Sequence, residues 1–132
     1  MTRGTIHHAD RLPGFIAEID GQKVGIITWN VNENMLEIVT LNVLKQGEGI
    51  GRALVHALFE KAKSLQCSRV WVITTNDNLQ ALSFYRSLGL TLVKVHKNAV
   101  DESRKLKPEI PLIGINEIPV TDEIEFEKKL TE

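Results

Sequence analysis

Cysteine is nearly absent from this chain: Cys67 is the only one in 132 residues. A lone cysteine excludes an internal disulfide and any metal site built from several thiolates. With no histidine or second cysteine near it in sequence, Cys67 reads as a small packing residue near a helix end rather than a reactive thiol. Charge of one sign is also lacking. The formal net charge is -1, which gives nothing to hold a nucleic-acid backbone by charge alone. No apolar run is long enough to span a bilayer, no segment has the form of a secretory signal, and no repeat or low-complexity stretch is present. His7 and His8 stand side by side, but no further ligand is in view around them, so no metal is expected. These absences leave the expectation of a single cytoplasmic domain over residues 1–132, with no nucleic-acid or membrane partner.

What is present is a regular succession of elements. Residues 1–14 have weak periodicity, broken by Gly4 and by Pro13-Gly14, and read as a lead-in arm. Residues 15–19 form a short strand. Asp20-Gly21 is a hairpin signal, and residues 24–31 are the return strand. Asn32, Glu33 and Asn34 make the next turn, and Met35–Val43 is a third strand. Three strands joined by tight turns predict an antiparallel meander.

A helix is predicted over residues 49–66. Its apolar positions Ile50, Leu54, Val55, Leu58, Phe59, Ala62 and Leu65 fall in one stripe of helical period. Arg52, His56, Glu60, Lys61, Lys63 and Ser64 lie largely off it, so His56 faces solvent. Residues 70–75 are a continuous β-prone run, as in a strand buried on both faces. Asn76, Asp77 and Asn78 supply turn and cap chemistry. A second helix spans residues 79–88 and stops at Gly89. A strand over residues 90–96 follows, then a short helix over 98–107 ended by Pro108, then a loop marked by Pro111 and Pro119. In residues 122–130, Ile124, Phe126 and Leu130 alternate with Glu123, Glu125 and Glu127, which favours a half-buried strand over a helix. The order predicts an α/β (α+β) fold: a mixed, mostly antiparallel central sheet with flanking helices.

One junction is ready for an anion. An apolar strand enters residues 41–53, glycines occupy alternate positions 47, 49 and 51, and an amphipathic helix leaves. Backbone N–H groups point outward at such a helix start, and the helix dipole favours negative charge there. Glycine lets the backbone approach a ligand closely. Each charge–dipole contact is worth roughly 0.3–1 kcal/mol, so several amides must act together. Gln46 adds a side-chain donor and Arg52 a cation, while Glu48 must point away from a phosphate. The bland alternative is a glycine-rich turn needed only for tight packing. A dinucleotide fold is a poor match, because the spacing is Gly-x-Gly-x-Gly and the preceding strand belongs to a meander.

Two segments together carry a family likeness. Gln46-Gly47-Glu48-Gly49-Ile50-Gly51 is similar to the Gln/Arg-x-x-Gly-x-Gly/Ala acetyl-CoA signature of the GNAT superfamily of N-acetyltransferases. Asn78-Leu79-Gln80-Ala81-Leu82-Ser83-Phe84-Tyr85-Arg86-Ser87-Leu88-Gly89-Leu90 resembles the same family's Asn-x-x-Ala-x-x-Phe-Tyr-x-x-x-Gly-Phe segment, with Leu90 for Phe. The likeness covers residues 15–96, and the strand over 122–130 fits the family's last strand. Two departures stand out. The approach over residues 41–46 is shorter than the common family form. Only about fourteen residues precede Phe15, where the family carries a strand and one or two helices that line the acceptor site. The expected form is therefore short at its N-terminus, compact or completed by a partner subunit, and exposed strand edges are compatible with a homodimer.

The resemblance implies an enzyme that moves an acetyl group from acetyl-CoA to a primary amine by direct attack in a ternary complex, without a metal. No cysteine stands as a nucleophile for a ping-pong route. Cofactor contacts are expected from Leu41, Asn42, Val43, Gln46, Gly47, Glu48, Gly49, Ile50, Gly51, Arg52 and Ala53, and from Asn78 and Tyr85. A backbone N–H around residues 41–43 is the expected oxyanion donor. Tyr85 is the expected acid for the departing thiolate, since a phenol keeps its proton at neutral pH. Its bland alternative is a tyrosine packed on the helix with its hydroxyl at the surface. Glu37 is the best-placed base for an amine that arrives protonated, unless it is simply an exposed strand glutamate or a water chain does the work. Thr74, Thr75 and Asn76 could order such a water. Asp101 or Glu102 could pair with a cationic acceptor, against the alternative of a solvated helix face. The competing reading of the whole chain is a non-catalytic acyl-CoA-binding module.

Overall fold

The structure is a computed structural model that describes residues 12–44, 47–114 and 117–130. Among them are six strands and three helices: β1 (Gly14–Ile19), β2 (Gln22–Asn32), β3 (Met35–Val43), α1 (Ile50–Ser64), β4 (Arg69–Thr75), α2 (Leu79–Ser87), β5 (Thr91–His96), α3 (Ala99–Leu106) and β6 (Glu123–Lys129). The strands belong to a mixed six-stranded sheet. The expected α/β architecture is therefore present. The chain divides into two compact units, one built on residues 12–71 with 129–130 and the other on residues 72–128.

In the first unit the strand order is β1-β2-β3-β4. Asp20 and Gly21 both have positive φ (51° and 77°), and Ile19 pairs with Gln22. This is the type I′ geometry whose twist matches the flanking strands. Glu33 and Asn34 repeat it (φ 53° and 63°) between Asn32 and Met35. The meander holds, and its ladder carries one irregularity with consequences. Thr28 pairs with Thr40 but Trp29 pairs with Ile38, so Val39 is an extra residue on β3. Such a bulge bends and twists a strand locally. Of the predicted lead-in arm, residues 1–11 with His7 and His8 lie outside the described residues; beyond them, the Trp29 N–H donates to the Pro13 carbonyl at 3.1 Å, extending the ladder past β1.

Helix α1 buries Ile50, Leu54, Val55, Leu58, Phe59 and Ala62. A Cβ added at Gly25 of β2 would sit 3.0 Å from Ile50 and 3.1 Å from Leu54. Helix and strand thus approach closely here, and an alanine at this position would have to displace these two side chains slightly. The helix is a residue or two shorter at each end than its pattern implies. Leu65 is its C-cap and is 43% exposed, not part of the stripe. Cys67 is buried just beyond, and burial pushes its thiol pKa up.

In the second unit the order is β4-β6-β5. Helix α2 ends as its glycine predicts. Gly89 has φ 89°, its N–H donates to Arg86, and the Leu90 N–H donates to Tyr85. This is the paired-bond ending that satisfies the last carbonyls of a helix. β5 pairs antiparallel with β6, with Val93 as an extra residue between Leu92 and Lys94. β6 is the strand expected over residues 122–130, but it is not half-buried. Glu123 is 3% exposed, beside Ile124 and Phe126. β6 lies between two strands, so both of its edges are paired; of its glutamates Glu123 is buried, while Glu125 and Glu127 are partly buried.

Candidate active site

The first unit carries Glu37 and the glycine turn. β3 delivers both, and its last residues Leu41, Asn42 and Val43 pair with Ile27, Ile26 and Gly25. Leu41 and Val43 are partly buried and Asn42 is exposed. Gln46 lies outside the described residues. Gly47 and Gly49 have φ of 82° and 75°, a left-handed backbone that disfavours side chains. A Cβ on either would meet nothing within 4 Å. Tight packing is thus not what these two glycines serve; they serve the backbone path and leave it open to solvent. Gly51 differs. It lies inside α1 without positive φ, so only its missing side chain matters.

Gly49 is the N-cap of α1 and offers no side-chain hydrogen bond, and no acidic residue lies in the first turn. The first amide bonded within the helix is Ala53, whose N–H reaches the Gly49 carbonyl at 3.0 Å. The amides ahead of it find no acceptor within the helix itself. Ile50 is buried, whereas Glu48, Arg52 and Ala53 are exposed.

Glu37 is 5% exposed, so it is not the exposed strand glutamate of the bland reading. Its register partner is Asn30. Gly25 faces α1, and alternation along β2 puts Asn30 and Thr28 on the opposite face. Glu37 shares that face. Thr28 is 4% exposed and its Oγ1 has no hydrogen-bond partner among the described residues. No sequence signal marks this residue; it emerges only from the register and the bulge at Val39.

The second unit carries Asn78 and Tyr85. Asn78 caps α2, its Oδ1 accepting the Ala81 N–H at 3.1 Å. Tyr85 is 7% exposed, with its ring centroid 5.4 Å from Phe84 and 6.2 Å from Phe126. Burial pushes its pKa up to about 12. The phenol therefore carries its proton throughout the neutral range, as an acid for a departing group must. It is the only tyrosine of the chain.

Two features of this unit escape the sequence. His96 is buried and its Nε2 lies 2.9 Å from Glu125 Oε1. Asn76 does not hang free at the end of β4. Its Oδ1 accepts the N–H groups of Thr121 and Asp122, both at 3.1 Å, and its Nδ2 donates to the Pro119 carbonyl at 2.9 Å. These bonds make Asn76 a fastening between the end of β4 and residues 119–122. Asp101 and Glu102 are paired within α3, with Arg104 at 2.6 Å and Lys105 at 3.2 Å, in keeping with a solvated helix face.

The fold, the glycine turn opening α1 and the Asn78–Tyr85 helix define a class, that of acyl-CoA-dependent acetyltransferases of mixed-sheet architecture. The sequence model of the acetyltransferase (GNAT) family matches residues 3–90, and the chain belongs to that family. It is 42% identical over 124 residues to the uncharacterized protein YdhI of Bacillus subtilis (strain 168), covering 93% of this chain and 78% of that one. A Bacillus subtilis acetyltransferase solved in complex with CoA superposes with a TM-score of 0.79 at 23% identity, over 92% of this chain and 78% of that chain. A GNAT family acetyltransferase from Elizabethkingia anophelis with acetyl-CoA bound gives 0.78 at 22%, over 89% and 75%. Among the described residues no helix is long and apolar enough to cross a membrane.

Proposed function

We propose that the chain is an acetyl-CoA-dependent N-acetyltransferase of the cytoplasm, working as one domain over residues 1–132 and acetylating a primary amine by direct attack in a ternary complex. The observation that carries the reading is the bare start of α1. Two left-handed glycines, no side-chain cap and no acid in the first turn offer the positive end of the helix dipole to a ligand's phosphates. Family membership and the CoA and acetyl-CoA present in the solved relatives support the choice of that ligand.

In this reading residues 41–43 and 46–53 hold acetyl-CoA, with the turn amides on its pyrophosphate and Asn78 beside its pantetheine arm. The acceptor arrives as an ammonium and gives a proton to Glu37. The free amine attacks the thioester carbon, the carbon–sulfur bond breaks, and the amide nitrogen loses its second proton. Tyr85 protonates the sulfur and is reprotonated in turn, so one proton leaves per acetyl group moved. A backbone N–H of residues 41–43 steadies the negative oxygen, a contact worth about 2.7–4 kcal/mol in such reactions.

The test has two arms. Acetyl-CoA should raise the melting temperature while ATP and NAD do not. A panel of amines, small and peptidic, should yield free CoA thiol with at least one member. Stabilisation without any acetylation would favour the non-catalytic acyl-CoA-binding module; stabilisation by a nucleotide alone would sink both readings.

A further inference from the structure

We propose that Asn76 is a positioning residue: by fastening the turn that starts α2 to the segment entering β6, it sets where Asn78 and Tyr85 stand. This rests on the roles given above to those two residues. The geometry lies within the second unit. Asn76 makes four hydrogen bonds across a long sequence gap. Its backbone N–H donates to the Asp122 carbonyl at 3.0 Å, its Oδ1 accepts from Thr121 and Asp122, and its Nδ2 donates to Pro119. Two residues later, Asn78 caps α2. About two helical turns further on, Tyr85 rests against Phe126 of β6. Helix α2 is thus tied to β6 and its lead-in at two points, and the first of them is one residue, three of whose four bonds are made by its side chain.

The lead-in is itself held. Asp122 Oδ1 accepts the Asn98 N–H at 2.9 Å, and Val100 N–H donates to the Thr121 carbonyl at 3.0 Å, both at the start of α3. Arg104 donates to the carbonyls of Ile110, Pro111 and Val120. Gly114 leaves no room for a side chain: a Cβ there would lie 2.5 Å from Val120 and overlap Asp77. Asn76 therefore fastens the α2 turn to something rigid. Amides accepted by a part-buried side-chain oxygen are costly to leave unmade, so the turn has one stable position while Asn76 is present.

The experiment compares Asn76→Ala with the wild-type full chain by residue-resolved amide exchange and by turnover. In Asn76→Ala the Ala81 and Leu82 amides should exchange at least tenfold faster while those of α1 keep their rates, and kcat should fall about tenfold with acetyl-CoA affinity within threefold. Unchanged exchange at Ala81, or an equal rise in both helices, would overturn the proposal, because the residue would then be idle or merely stabilising. Asn76→Asp keeps an acceptor for the Thr121 and Asp122 amides, loses the bond to Pro119 and sets a carboxylate oxygen against that carbonyl. If the alanine variant does not fold, the aspartate variant carries the test at smaller scale, at least twofold at Ala81, and no change there overturns it too. Should the wild type acetylate no amine, the proposed function fails, yet the exchange measurement still decides the role of Asn76.

Discussion

Helices α1 and α2 each begin after a strand and a turn, and they begin in opposite ways. At α2 a side chain closes the end: Asn78 takes the Ala81 N–H. At α1 the cap is a glycine with φ 75° and no side-chain bond. A third start sharpens the contrast. α3 also lacks a side-chain cap, yet Asp101 and Glu102 sit in its first turn and complement its dipole. Among the helices of the described residues, only α1 has neither a side-chain cap bond nor a first-turn acid. An end left so bare is suited to a charge that arrives with a ligand, whereas a sealed end is suited to hold a side chain, here Tyr85, in place.

Four expected outcomes break or sharpen this contrast. The largest belongs to the sealed helix. Tyr85→Phe should lower kcat by about 10²–10⁴, the usual range for a lost general acid, with CoA affinity nearly intact by titration calorimetry. An equal loss of affinity would make Tyr85 a binding group instead. Next comes alkaline stability. The Tyr85 pKa is raised to about 12 from 10, so the folded state holds a proton that the unfolded state has released. Stability is full below pH 10 and falls as pH rises towards 12, by about 3 kcal/mol for two units. Denaturant titrations at pH 9 and 11 should show a larger loss in the wild type than in Tyr85→Phe, where the buried Cys67 thiol still contributes in the same direction.

The bare end gives the third. Gly49→Asp installs a negative charge at a position whose left-handed backbone aspartate tolerates. It should leave stability within about 1 kcal/mol and weaken acetyl-CoA binding about tenfold or more, a loss of about 1.4 kcal/mol. Gly49→Asn, with the same shape and no charge, should bind more tightly than the aspartate variant. If the two bind equally, charge at this end is not what the ligand meets. The smallest effect is the mirror experiment. Asn78→Ala unseals α2 and should cost about 1 kcal/mol of stability by chemical denaturation.

Much of the fold was legible because short-range rules decided it. Asp20-Gly21, the turn after Asn32, the stripe of α1, the Asn78 cap and the Gly89 ending all depend on residues a few positions apart. What was not legible depends on partners far along the chain. The alternation of Glu123, Glu125 and Glu127 with Ile124 and Phe126 is the pattern of a strand with one wet face. Glu123 is 3% exposed all the same, and packing across the faces of a strand is something no local pattern encodes. The same holds for Glu37: its neighbours Leu36 and Ile38 suggested an outward glutamate, and it is buried. Asn76 looked like turn chemistry, while its bonds run to Pro119, Thr121 and Asp122. The glycine turn was located correctly, but only the φ values separate Gly47 and Gly49, which bend the path, from Gly51, which does not.

The solitary tyrosine has a practical consequence. Because Tyr85 is the chain's sole tyrosine and its ring is enclosed by Phe84 and Phe126, biosynthetic replacement by a fluorinated tyrosine would put one fluorine nucleus at the spot where the thiol is expected to leave. A single resonance, free of assignment, would then report on every donor, product and candidate acceptor added to the tube.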